Sequence, residues 1–224
     1  MPRKKNVKRA YSPEELYRKK CPEMAFDGVW KEVFGRPAPI GMWVIWGNSG
    51  NGKSSFTMQL AKYLCRFGKV FYNSVEEDVR NTFINNVRRN KMEEVNKQFK
   101  TGNLTLDELE ERMKSSRKED IYIIDSFQAM RFTHRGKMDY EAFCSRHPDK
   151  LIIFVSRAQG NLPQKQPAID CMYDADVKIW VEGFQAVCKG RFETNPGKSY
   201  IIWEDRAVKY GNINPLKKTQ NEEQ

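Results

Sequence analysis

Apolar residues cluster in five short runs, each bounded by polar or turn-forming positions. Residues 42–46 (Met-Trp-Val-Ile-Trp) form the first, residues 70–72 the second, 121–124 the third, 151–155 the fourth and 177–181 the fifth. Runs this short and continuous predict strands buried on both faces, as in a mostly parallel sheet covered by helices. After the first run, Phe56, Leu60, Leu64 and Phe67 recur at helical spacing. Residues 79–119 are polar and predict helix, with a thin apolar stripe of Val79, Phe83, Val87, Val95 and Phe99; Gly102 breaks it, and Thr105-Leu106-Asp107-Glu108 is a capping box that starts a further helix. Ser12-Pro13-Glu14-Glu15 predicts an earlier short helix, 35–39 a linker, and alternation around 186–192 and 199–204 a closing hairpin. The expected fold class is α/β, with a mostly parallel central sheet flanked by helices and a C-terminal β-hairpin.

Between the first strand and its helix lies Gly47-Asn48-Ser49-Gly50-Asn51-Gly52-Lys53-Ser54, which fits G-x-x-x-x-G-K-[ST]. Small residues there turn successive backbone N–H groups toward phosphate oxygens, and the helix N-terminus adds partial positive charge. With the neighbouring Ser55, these residues are the candidate nucleotide site, and the expected ligands are ATP and Mg²⁺. Lys53 is placed to reach the β- and γ-phosphates, and Ser54 to ligate the ion.

Phosphoryl transfer needs a second metal-orienting group, and Asp125 at the end of the third strand has the right character. It also needs a base for the attacking water, and the acidic Glu76-Glu77-Asp78 cluster follows the second strand. Glu76 is the first candidate and Glu77 the alternative, because sequence leaves strand register open by one residue.

The chain of 224 residues has length for one α/β core. We expect a basic arm with a short helix over 1–36, the ATPase domain over 37–208 and a polar tail over 209–224. Net charge is +10, and Arg3, Lys4, Lys5, Lys8 and Arg9 supply half of the excess, which suits either a solubilising tail or contact with nucleic acid phosphates. Arg88, Arg89 and Lys91 read first as a solvated helix face. The five cysteines are scattered and odd in number, and there are two histidines, so reduced thiols, no zinc module and a cytoplasmic location are expected. No apolar run reaches membrane-spanning length.

The order of the phosphate loop, VFYNSVEED, IYIIDSFQ, LIIFVSRAQG and AVCKGRFE resembles RecA-like ATPases over about residues 37–205. The similarity is strongest to the core of RadA/Sms-type recombination proteins and more distant to DnaB-type helicase motors. The resemblance implies Glu76 as catalytic base, Asp125, Ser126 and Gln128 as the aspartate motif, and Lys189 and Arg191 of Lys-Gly-Arg as cations reaching a neighbouring subunit's nucleotide. It implies a homo-oligomer, as a hexameric ring or filament, with single-stranded DNA as partner. DNA-contacting loops would follow the third and fourth strands, at 130–140 with Arg131, His134, Arg135 and Lys137 beside Phe132, and at 160–167 with Asn161, Gln164 and Lys165. The chain departs from the family in lacking a four-cysteine module and a protease-like domain, and Ser156, Arg157 and Gln159 leave the fourth-strand sensor open. An ATP-switched assembly module and a small-molecule kinase remain as alternatives, whereas no N-K-x-D segment supports a GTPase.

Overall fold

A computed structural model describes residues 9–77, 80–114, 119–130, 133–134, 137–190 and 197–210. In chain order the elements are α1 (Pro13–Tyr17), α2 (Gly28–Phe34), β1 (Gly41–Gly47), α3 (Lys53–Leu64), β2 (Val70–Ser74), α4 (Asn81–Arg89), β3 (Phe99–Gly102), α5 (Leu106–Met113) and β4 (Ile121–Asp125). There follow the small pair β5 (Thr133–His134) and β6 (Lys137–Met138), α6 (Tyr140–Arg146), β7 (Leu151–Gln159), β8 (Leu162–Pro163), α7 (Gln166–Asp174), β9 (Val177–Glu182), β10 (Gln185–Cys188), β11 (Tyr200–Ile201) and α8 (Glu204–Lys209).

The main sheet runs β11-β10-β9-β1-β7-β4-β2-β3, with β8 folded back on β7. Strands β9, β1, β7, β4, β2 and β3 are parallel, and β10 and β11 close the edge antiparallel. The expected α/β architecture with its terminal hairpin is therefore present.

Each central strand serves two cores because alternate side chains leave opposite faces. Trp43 and Ile45 of β1, Ile121 and Ile123 of β4, and Leu151, Ile153 and Val155 of β7 meet α2 and α3 on one face. Val44, Trp46, Tyr122, Ile124, Ile152 and Phe154 meet α5, α6 and α7 on the other. Continuous apolar runs are the sequence form of this double burial.

Both capping boxes form, Ser12 with Glu15 and Thr105 with Glu108. Three expectations change. The stretch 79–119 is not wholly helical: Phe99–Gly102 is β3, paired with β2, because Phe99 fits the sheet edge beside Val70. Residues 24–34, placed in the arm, send Met24, Phe26, Val33 and Phe34 into the core, and Trp30 stacks on Tyr63 at 4.6 Å. Residues 204–209 form α8 in place of the end of a strand, with acidic Glu204 and Asp205 in its first turn.

Asn73, buried in β2, pins the segment after β3. Its Nδ2 donates to the Leu104 carbonyl at 3.0 Å, and its Oδ1 accepts from the Leu104 N–H at 2.8 Å. Asn73→Ala leaves both groups without these partners and should destabilise the protein by about 1–3 kcal/mol in chemical denaturation. An unchanged midpoint would show that water replaces both bonds.

Candidate active site

The parallel register brings the C-terminal ends of the central strands to one edge. Ser74 lies opposite Asp125, Asp125 opposite Val155, and Gly47 opposite Arg157. Ligands of open α/β sheets bind outside this edge. Here it borders a cleft of about 610 Å³.

The phosphate loop is shaped by close approaches. A Cβ on Gly47 would stand 2.2 Å from the Val181 carbonyl oxygen, so no larger residue fits there. Gly52 enters α3 with φ 93°, and a Cβ there would stand 2.8 Å from the Phe184 ring. Asn51 is the loop's clamp. Its Oδ1 accepts from the Gly183 N–H at 2.8 Å, its carbonyl accepts from the Phe184 N–H at 3.1 Å, and its Nδ2 donates to the Ser49 carbonyl at 3.2 Å. The turn between β9 and β10 is thereby fastened to the loop. From α4, Asn86 Nδ2 donates to the Ser54 carbonyl at 2.9 Å.

Lys53, Ser54 and Ser55 line the cleft together with Glu76, Glu77, Asp125 and Ser126. The Tyr72 hydroxyl donates to Asp125 Oδ2 at 2.6 Å. Burial pushes the Asp125 carboxyl above its usual range; Tyr72 and Lys53 pull it back only in part, and Glu77 and Glu76 push it further up. The Ser54 hydroxyl and the Asp125 carboxylate are hard oxygen donors suited to Mg²⁺. Among the described residues there is no group of three or more His, Cys, Asp or Glu side chains that could hold a metal ion.

Glu76 accepts from the Ser126 hydroxyl at 2.9 Å and is ion-paired with Arg157. Burial raises its carboxyl, but the Arg157 guanidinium and the Ser126 hydroxyl, helped by Lys53, more than reverse this and hold it below the ordinary carboxylate range. Gln128 spans the same edge, donating to Ser156 Oγ at 2.7 Å and to the Gln164 carbonyl at 3.1 Å.

The far wall was not foreseen from sequence. Phe184, Trp203 and Arg206 line it, with the Arg206 guanidinium 4.3 Å from the Trp203 ring centre and 5.2 Å from that of Phe184. Arg89, first read as a solvated helix residue, lies 5.2 Å from the Trp203 ring centre and within 3.5 Å of Ser55 Oγ. Aromatic and guanidinium surfaces of this kind suit a purine and its phosphates. The signal was weak, since Trp203 and Arg206 follow the phosphate loop by some 150 residues and Trp203 sits where alternation suggested a strand.

Of the other expected residues, Gln164 lines the cleft, and Lys189 and Lys165 do not. Lys189 ends the closing hairpin, exposed, with its ammonium 5.7 Å from the Trp180 ring centre. Arg191, Arg131 and Arg135 lie outside the described residues, and only the backbone of Lys137, in β6, is described. Lys165 is exposed ahead of α7, and the expected loop at 160–167 is largely a tight return, with Leu162 and Pro163 pairing on Gln159 and Ala158. All five cysteines are free thiols, and no described helix is long and apolar enough to cross a membrane.

No family model and no curated protein matches the chain. Among solved structures it is similar to the flagellar accessory protein FlaH from Methanocaldococcus jannaschii, at 19% identity and a TM-score of 0.56, over 81% of this chain and 92% of that one. It is also similar to a KaiC-like protein from Pyrococcus horikoshii, at 14% identity and a TM-score of 0.55, over 82% of this chain and 93% of that one. At such identities the similarity is one of fold, and the fold is that of RecA-like P-loop proteins.

The raised Asp125 carboxyl predicts a stability cost. Ionised Asp125 is disfavoured in the fold, so the cost is present at neutral pH and disappears below the ordinary carboxylate value of 3.8, where folded and unfolded chains are both protonated. Without nucleotide or Mg²⁺, Asp125→Asn should melt higher than wild type at pH 7. The gain should vanish as pH falls toward 3.8; an equal or lower melting temperature at pH 7 would contradict the assignment.

Proposed function

We propose that the protein is a Mg²⁺-dependent ATPase of the RecA-like class that couples hydrolysis to DNA. One observation carries the ATPase part: Lys53, Ser54, Asp125 and Glu76 converge on a single cleft at the C-terminal edge of the sheet. In this reading the loop N–H groups and Lys53 bind the phosphates, and Ser54 and Asp125 hold Mg²⁺, which when bound neutralises charge on the β- and γ-oxygens. Glu76 takes a proton from water as the water oxygen bonds to the γ-phosphorus. The bond from that phosphorus to the β,γ-bridging oxygen breaks, its electron pair leaving on ADP. The Trp203–Arg206 wall takes the base.

DNA as partner rests on the +10 net charge and on the resemblance to RadA/Sms-type recombination and DnaB-type motors. Assembly rests on the Lys189-Gly190-Arg191 segment, whose lysine does not line the chain's own cleft and would complete a neighbour's. A second reading, an ATP-switched module with little turnover, is favoured by the pairing of Glu76 with Arg157.

Lys53→Ala should abolish tight triphosphate binding and turnover, and Glu76→Gln should bind nucleotide yet hydrolyse it about a hundredfold more slowly. ATPase assays with and without single-stranded DNA, across protein concentration, test the motor: specific activity should rise with both. Mixing Lys53→Ala with Arg191→Ala should restore part of the activity each lacks. Turnover that ignores DNA, concentration and mixing would leave a monomeric ATPase or switch.

A further inference from the structure

The sequence leaves open which residue after the fourth strand attends to the nucleotide. In the fold, Arg157 lies opposite the first residue of the phosphate loop, and its side chain enters the cleft. Its backbone is fixed at both ends. The N–H donates to Gln128 Oε1 at 3.3 Å, and the carbonyl accepts from the Gln164 N–H and from Ser156 Oγ, each at 2.8 Å. Only the side chain is left to move, and it ends on Glu76.

We propose that Arg157 masks Glu76 while no triphosphate is bound, and that a γ-phosphate draws the guanidinium away and so frees the base. This rests on the ATPase reading of the cleft and adds to it a device in cis, distinct from any cation supplied by a neighbour.

The magnitudes favour such an exchange. The Arg157 side chain is 55% exposed and that of Glu76 37%, and ion pairs as open as this contribute only ~0–1 kcal/mol. A γ-phosphate offers more charge and three acceptor oxygens, and guanidinium binds such oxygens in pairs. Lys53, Glu76 and Arg157 line the same cleft, so a terminal phosphate held by Lys53 enters the space that the arginine side chain already occupies. The exchange also changes chemistry. Paired, Glu76 has its carboxylate engaged by Arg157 and Ser126 and is a weak base. With Arg157 withdrawn, the Glu76 oxygen that it engages is open to accept a proton from water.

The test compares Mg²⁺ complexes of ADP and of a non-hydrolysable triphosphate analogue by calorimetry, so that binding is read without turnover. Arg157→Gln should lose about tenfold in affinity for the analogue, as one charge-assisted contact implies, with ADP affinity held within about twofold. Glu76→Gln, which releases Arg157, should bind the analogue severalfold more tightly. That gain could also come from removing a negative charge, and the double variant separates the two causes. If the gain disappears in Arg157→Gln/Glu76→Gln, masking is supported; if it persists, the effect is charge removal alone and the proposal is overturned. Unchanged analogue affinity in Arg157→Gln, or equal losses for analogue and ADP, also overturns it. Wild-type protein that binds neither nucleotide would instead overturn the ATPase reading, and the proposal with it.

Discussion

The in-register parallel pairing of β1, β7, β4 and β2 is the constraint on which the site depends. A parallel ladder aligns the C-terminal ends of its strands, so four segments distant in sequence deliver residues from those ends to one edge. Gly47, Arg157, Asp125 and Ser74 are the outcome. A slip of one residue in any pair would turn that strand's polar end residue to the opposite face and bury it among apolar side chains. Register is guarded by double burial, because the apolar residues of these strands before the tip pack alternately in one of two cores.

The second support is the hairpin at the sheet's far edge. Phosphate loops are made of small residues and have little packing of their own. Here the turn at Gly183 and Phe184, with φ of 52° and 59°, presents two backbone N–H groups to Asn51 and its ring to the space left by Gly52. Ile202 then donates to the Phe184 carbonyl at 2.9 Å and brings Trp203 and α8 over the cleft. One chain of contacts thus fixes the loop and builds the wall opposite it. Tight anion binding gains from this, since donors held in place lose little freedom when phosphate arrives.

Much of this was legible beforehand because the signals were local. The phosphate motif, the strand runs and both capping boxes depend on residues adjacent in sequence, and Asp125 follows from ending an apolar run. What was hidden depends on long-range partners. Four residues, 99–102, cannot announce a strand when polar Lys100 and Thr101 face outward at an edge. Trp30 falls in the stretch expected to be a basic arm, and only its ring contacts with Tyr63 and Tyr200, distant in sequence, tie it to the core. Arg157 carried no sign of its role because its partner, Glu76, lies 81 positions earlier. Arg89 looked solvated for the same reason: helix periodicity puts it on the polar face of α4, and only packing shows that this face borders the cleft.

Charge is the other quantity that the cleft has to balance. Among the described residues, Lys53, Arg89, Arg157 and Arg206 face Glu76, Glu77 and Asp125 across the cleft, four cations against three carboxylates. Mg²⁺ offsets only part of the charge of a triphosphate, and hydrolysis spreads further negative charge over the transferred group. If Arg157 and Glu76 neutralise one another, the empty cleft has little surplus to offer; drawing Arg157 to the phosphate releases one cation and exposes one base. A further cation is then worth most at the moment of transfer, and Lys189, exposed on the closing hairpin, is the residue proposed above to supply it to a neighbour. The proposed masking in cis and the proposed completion in trans would both act on the charge of the triphosphate, the first by keeping the base idle without substrate and the second by withholding rapid turnover until a neighbour is present.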